Sequence, residues 1–142
     1  MSKKTREKML GSFEEFLYWE AASKDTIDVK KAYIDIAGDL AAGVMLSQII
    51  FWYLPKPNQG LAPKLRVKKE GVLWLVKGYK DWWAEIRLTE KQARRALKVL
   101  TDKGLVEIKI RRFNGSPTCH IRIQNDKFLS LLEENIRSRC GE

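Results

Sequence analysis

Between Thr89 and Ile123 the hydrophobic period changes from helical to alternating at one glycine, so a helix must be followed directly by a strand there. Thr89-Glu90-Lys91-Gln92 reads as a capping box: the threonine oxygen can accept from the amide three residues on, and the glutamine side chain can reach back. From there Ala93, Ala96, Leu97 and Leu100 fall on one face at about 100° per residue. The helix is expected to run to Lys103 and to stop at Gly104, a helix-terminating residue. Beyond it Leu105, Val106, Ile108 and Ile110 alternate loosely with Glu107, Lys109 and Arg111, as in a strand. Asn114-Gly115 then supplies a tight hairpin turn, and 120–123 returns as the second strand.

Upstream, Trp82, Trp83 and Ile86 mark a helix over about 79–87, with Asp81 at the end where the helix dipole favours a carboxylate. The two tryptophans lie about 100° apart, so one of them is expected to be partly exposed. The order helix, short turn, helix, strand, Asn-Gly turn, strand is that of a winged helix-turn-helix, whose second helix enters the major groove beside a flanking hairpin. The fold expected is therefore α+β, mainly α: a winged helix-turn-helix with additional N- and C-terminal helices and an extra short β-hairpin. That hairpin joins Leu65-Arg66-Val67 to 72–76 through Lys69-Glu70-Gly71, with Trp74 expected in the core. The N-terminal helix spans 5–22. Tyr33, Ile34 and Ile36 read as a short strand leading into a long helix that Pro55 ends, and 55–64 is a loop. The C-terminal helix covers 127–139, with Phe128, Leu131, Leu132 and Ile136 on one side. Three regions follow: a helical extension over 1–32, the winged-helix domain over 33–123, and a terminal helix over 124–142.

If Ala93 centres the inner face of the helix opening at Thr89, the outer face carries Lys91, Arg95 and Lys98, with Gln92 and Arg94 at its edges. Arginine can donate to two guanine acceptors at once, glutamine can pair with adenine, and lysine neutralises phosphates. The hairpin adds Arg111, Arg112 and Asn114 where a wing meets the backbone or the minor groove. Alone, such a helix is a solvated amphipathic surface, and charges on a strand are a guard against edge pairing. Charge location tips the reading. The chain carries a net +9, and segment 64–112 has 15 Lys and Arg against 6 Asp and Glu, also +9. The remainder has 12 of each, so the whole excess sits on the segment that would touch a polyanion.

Other chemistry finds little support. Cys119 and Cys140 have no metal-ligand spacing and no disulfide framework, which fits reduced thiols in a cytoplasmic protein. The longest uncharged run, 40–54, is 15 residues, shorter than the roughly 18–20 of a membrane span. No apolar signal core follows Met1, and no membrane partner is expected. The lone histidine, His120, is adjacent to Cys119 on a strand, where neighbours point to opposite faces, so it reads as structural. Asp35 and Asp39 read as caps or ion-pair partners. No phosphate loop, zinc set or dinucleotide fingerprint is present. The expectation is a protein without catalysis, cofactor or metal.

The stretches YIDIAGDLAAGVMLSQIIFWY (33–53), KDWWAEIRLTEKQARRALKVLTDKGLVEIKI (80–110) and RRFNGSPTCHIRI (111–123) resemble the helix-turn-helix domain of Gram-positive phage and plasmid replication proteins. These include replisome organisers related to the N-terminal domain of primosomal DnaD. The likeness rests on the joint pattern LSQI, W-x-E, K-x-L-x-x-K-G-L-V and F-N-G-x-P-T. It implies a winged helix, association with double-stranded DNA, and a role near replication initiation, with transcriptional control as the neighbouring possibility. It also implies homo-oligomers and contact with replication proteins, because such domains serve oligomerisation as well as DNA binding. Longer members add a C-terminal DNA-remodelling domain, so complete replisome-organiser activity is not expected here. A protein-interaction module would instead use the terminal helices, through Phe13, Phe16, Tyr18, Trp19 and Leu132.

Overall fold

The computed structural model describes residues 10–55, 65 and 67–140. The expected helical turn over 5–9, most of the 55–64 loop, and Arg66 lie outside the described residues. The fold is α+β and mostly helical, with six α-helices and one four-stranded antiparallel sheet among the described residues.

Helix α1 (Phe13–Ala22) is N-capped by Ser12, which accepts from the Glu15 amide at 3.1 Å, and it buries none of its residues. A segment without regular secondary structure follows over 23–30, tied down where Ser47 Oγ donates to the Asp28 carbonyl at 2.6 Å. Tyr33, Ile34 and Ile36, expected to open as a strand, belong instead to helix α2 (Lys31–Ala37). Burial explains the difference: Ala32, Ile36 and Ala37 are inward at helical spacing. The long helix expected from Ile36 is likewise two helices, α2 and α3 (Leu40–Tyr53), meeting at a bend of 120°. Gly38 ends α2 in the left-handed region, and Asp39 starts α3 by accepting from the Ala42 amide at 2.9 Å. Gly43 lets α2 lie against α3, since a Cβ there would sit 2.6 Å from Ile34 Cα. Among the described residues no single helix is long and apolar enough to cross a membrane.

Strands β1 (Val67–Lys69) and β2 (Val72–Val76) form the first hairpin through Glu70-Gly71, both at positive φ as a two-residue turn requires. The next helix begins as a 3-10 turn, Tyr79–Asp81, and continues as α4 (Trp82–Ile86). Trp82 is fully buried and Trp83 is 51% exposed, the division that their angular separation required. Helix α5 (Glu90–Asp102) follows, then β3 (Val106–Phe113) and β4 (Ser116–Ile123), which turn through Asn114-Gly115. Strand β4 is longer than the expected 120–123, because Ser116-Pro117-Thr118 reads as loop in sequence. Pro117 is tolerated because β4 pairs with β2 only at Ile121 and His120, leaving the proline's other side unpaired. Helix α6 (Asn125–Cys140) packs on α2 through Tyr33 and Phe128, with Arg139 and Asn135 donating to Asp35. Ile136, expected on its inner side, is exposed.

The sheet order is β1-β2-β4-β3. One face carries the main core, where Met45, Leu46 and Ile49 of α3 meet Trp82, Leu97, Leu100, Leu105 and Ile121. Trp74 is buried as expected, but on the opposite face, against His120 and beneath Lys109, Arg111 and Arg122. Period two decides this: Leu75 and Ile121 point into the helices, so their neighbours Trp74 and His120 point away.

Candidate nucleic-acid interface

Three residues, Arg87-Leu88-Thr89, separate α4 from α5. Arg87 closes α4 in the left-handed region at φ 58, and its guanidinium donates to the Trp83 carbonyl at 2.9 Å. The chain thereby reverses without a glycine. Thr89 and Gln92 form both bonds of the capping box: the Gln92 amide donates to Thr89 Oγ1 at 3.2 Å, and the Thr89 amide to Gln92 Oε1 at 2.8 Å. Ala93, Ala96, Leu97 and Leu100 are buried, so α5 presents Lys91, Gln92, Arg94, Arg95 and Lys98 outward.

Those five are not equivalent. Lys91 makes no ion pair among the described residues. Lys98 pairs with Asp102 at 3.0 Å, and Arg94 with Glu90 at 3.0 Å, each one helical turn away. Such exposed pairs are weak and readily exchanged. Arg94 also stacks 4.1 Å over the Tyr79 ring. It lines a groove with Lys80 of the 3-10 turn and with Ile110, Pro117 and Thr118 of the β3–β4 hairpin. Arg95 donates through both terminal nitrogens to Asp39, at 3.1 and 2.9 Å. The Arg95 guanidinium and the Ala42 amide together hold the Asp39 carboxyl at about 2, below its ordinary 3.8.

The hairpin residues divide between two faces. Arg112 and Asn114 are exposed at its end, with Arg112 donating to the Gly115 carbonyl at 3.2 Å. Arg111 belongs to the Trp74 face, where it donates to Glu70 at 2.7 Å and lies 5.1 Å from the indole centre. The Arg111 guanidinium keeps the Glu70 carboxyl below its usual value. Phe113 meets His120 edge-on at 6.3 Å, so an aromatic contact steadies the turn end of the hairpin. His120 is buried with Nδ1 facing the Thr118 carbonyl at 3.0 Å, while Nε2 has no partner among the described residues. Cys119 points the other way, into the core near Tyr79, whose hydroxyl is pushed up by its bond to that thiol and by burial.

Sequence reasoning read Asp39 as a cap or an ion-pair partner, and it is both, but it overlooked Tyr79 and Glu70 as partners of the basic residues. Neither overlooked contact leaves a local signal, because Tyr79 reaches Arg94, and Glu70 reaches Arg111, from a separate element. It also overlooked Glu85, whose Oε1 accepts from Gln48 at 2.8 Å and Trp52 at 2.9 Å, and which pairs with Lys77. LSQI (46–49) and W-x-E (83–85) thus meet through a hydrogen bond. No protein-family model, curated protein or solved structure matches the chain.

Proposed function

We propose that this chain is a winged-helix protein that binds double-stranded DNA, with α5 in the major groove and the Asn114-Gly115 hairpin as its wing, in phage or plasmid replication initiation or in transcriptional control. The observation that carries this reading is the α4–turn–α5 unit joined to a β2-β4-β3 sheet, with Arg94 and the β3–β4 hairpin on one groove. An outward face of Lys91, Gln92, Arg94, Arg95 and Lys98 suits a grooved polyanion, and Arg112 and Asn114 extend it along the hairpin. Arg111 braces the wing from its far face through Glu70 and Trp74. The reading involves no catalysis and no cofactor. Fluorescence anisotropy with a labelled duplex at two salt concentrations tests it. Lys91→Ala and Arg112→Ala are each expected to weaken binding and to lower the salt slope by about one unit, without altering Tm. Unchanged affinity in both variants would remove α5 and the wing from the interface.

A second role, self-association, is supported by α1. Phe13 and Tyr18 are each 73% exposed, and Leu17 and Trp19 are exposed beside them. A helix of 10 residues that buries nothing has little stability of its own. Segment 10–30 holds five acidic residues against two basic ones, the opposite sign to segment 64–112, so a second copy offers a complementary surface. Light scattering on the full chain and on a chain lacking residues 1–22 decides the point. A dimer that becomes a monomer on deletion supports the role; a monomer in both cases rejects it.

A further inference from the structure

Among the described residues, Arg95 is the one basic residue of α5 ion-paired to another element, and the partner is itself held in place. Asp39 Oδ2 accepts from the Ala42 amide at 2.9 Å and from Arg95 Nη1 at 3.1 Å, while Oδ1 accepts from Arg95 Nη2 at 2.9 Å. The Asp39 side chain is 24% exposed and that of Arg95 is 60% exposed. Glu90 and Asp102, by contrast, hold Arg94 and Lys98 from within α5 and can swing with them.

A guanidinium has five N–H donors in one plane. Asp39 occupies one hydrogen on each terminal nitrogen, at the end of the fork. The Nε hydrogen and the second Nη2 hydrogen then remain parallel along one edge, the spacing that matches two acceptors on a base edge such as guanine O6 and N7. We infer that Asp39 is a positioning residue: it locks the Arg95 guanidinium to the start of α3 so that this free edge is presented to paired acceptors in the major groove. The inference rests on the reading of α5 as the DNA-contacting helix. It reverses the simplest electrostatic expectation, under which removing a carboxylate beside a DNA surface strengthens binding.

Asp39→Ser separates positioning from capping, because serine caps a helix as aspartate does but is too short to engage Arg95 at both nitrogens. The full chain is used, with a duplex selected from a random pool by the wild-type protein and a scrambled duplex of equal length. Asp39→Ser is expected to lower the selected-to-scrambled affinity ratio by roughly tenfold, the scale of a lost bidentate contact. Arg95→Ala is expected to lower it similarly, and the double variant to match Arg95→Ala. Circular dichroism verifies that Asp39→Ser remains folded; Asp39→Asn, which retains the cap and loses the charge, serves if it does not. A ratio kept or raised in the Asp39 variants but lost in Arg95→Ala overturns the inference. Wild-type binding with no preference between duplexes overturns it while leaving DNA binding intact. No wild-type binding to either duplex defeats the DNA reading itself.

Discussion

Three side chains converge on the Glu85 carboxylate: Gln48 and Trp52 from α3 and Lys77 from the end of β2. Lys77 also lies 4.7 Å over the Trp52 ring and 5.5 Å over Trp82. Little of either charged side chain is exposed, so removing one partner strands the other in a low-dielectric setting. Glu85→Ala is expected to cost about 3–5 kcal/mol in urea unfolding, and Glu85→Gln clearly less, because an acceptor remains for the indole or the amide. Asp39 makes a pH-dependent contribution of definite sign. Its folded carboxyl is held at about 2, below its ordinary 3.8. The stabilisation is therefore complete above the ordinary value and disappears as pH falls from there toward 2. Melting curves of wild type and Asp39→Asn should be separated near pH 6 and should converge near pH 2. A gap that stays constant across that window would show that the charge of Asp39 does not stabilise the fold.

At the scale of elements, both hairpins turn in two residues, Glu70-Gly71 and Asn114-Gly115, with positive φ throughout. Gly115 sits at φ 84, and a Cβ there would meet nothing within 4 Å. Its role is conformational, with no packing component. Gly115→Ala should therefore lower stability by about 1–2 kcal/mol, the cost of a left-handed L-residue. Chemical denaturation measures the loss, and far-UV circular dichroism should show helix α5 retained. Register leaves little latitude here, since a one-residue slip in β4 would bring His120 and Arg122 into the core in place of Cys119, Ile121 and Ile123. Helix α5 is the element best specified locally: a two-bond cap, four buried apolar residues at helical spacing, and a left-handed glycine just beyond its end.

Across the whole molecule, polarity is segregated. The basic segment 64–112 contains α5 and strand β3 as far as Arg112, while the acidic stretch around α1 stands apart from the core. Because α1 buries no residue within the chain, a monomeric chain lacking residues 1–22 should keep its Tm within a few degrees of the monomeric full chain. A large drop in Tm would mean that α1 is stabilised by contacts within or between chains. The main core, in contrast, draws on α2 through α5 and three strands, so the fold has one centre in which α4, α5 and β4 depend on α3.

Local signals in the sequence determined the capped helix at Thr89, its inner face, the Asn114-Gly115 turn, and the sequence of elements from the tryptophan helix to the hairpin. Each depends on residues within a few positions of one another, where capping and periodicity act directly. The first turn, expected over Lys69-Glu70-Gly71, is instead the two residues Glu70-Gly71, with Lys69 in β1. Which face a side chain serves depended on strand register, and that placed Trp74 and Arg111 away from the main core. The break at Gly38-Asp39 was legible but was outweighed by the long apolar run around it. The Asp39–Arg95 pair and the Glu85 cluster were decided only by tertiary packing. Ion pairs separated by tens of residues leave no periodic trace, because a charged residue on a polar face looks the same whether or not a partner from another helix reaches it.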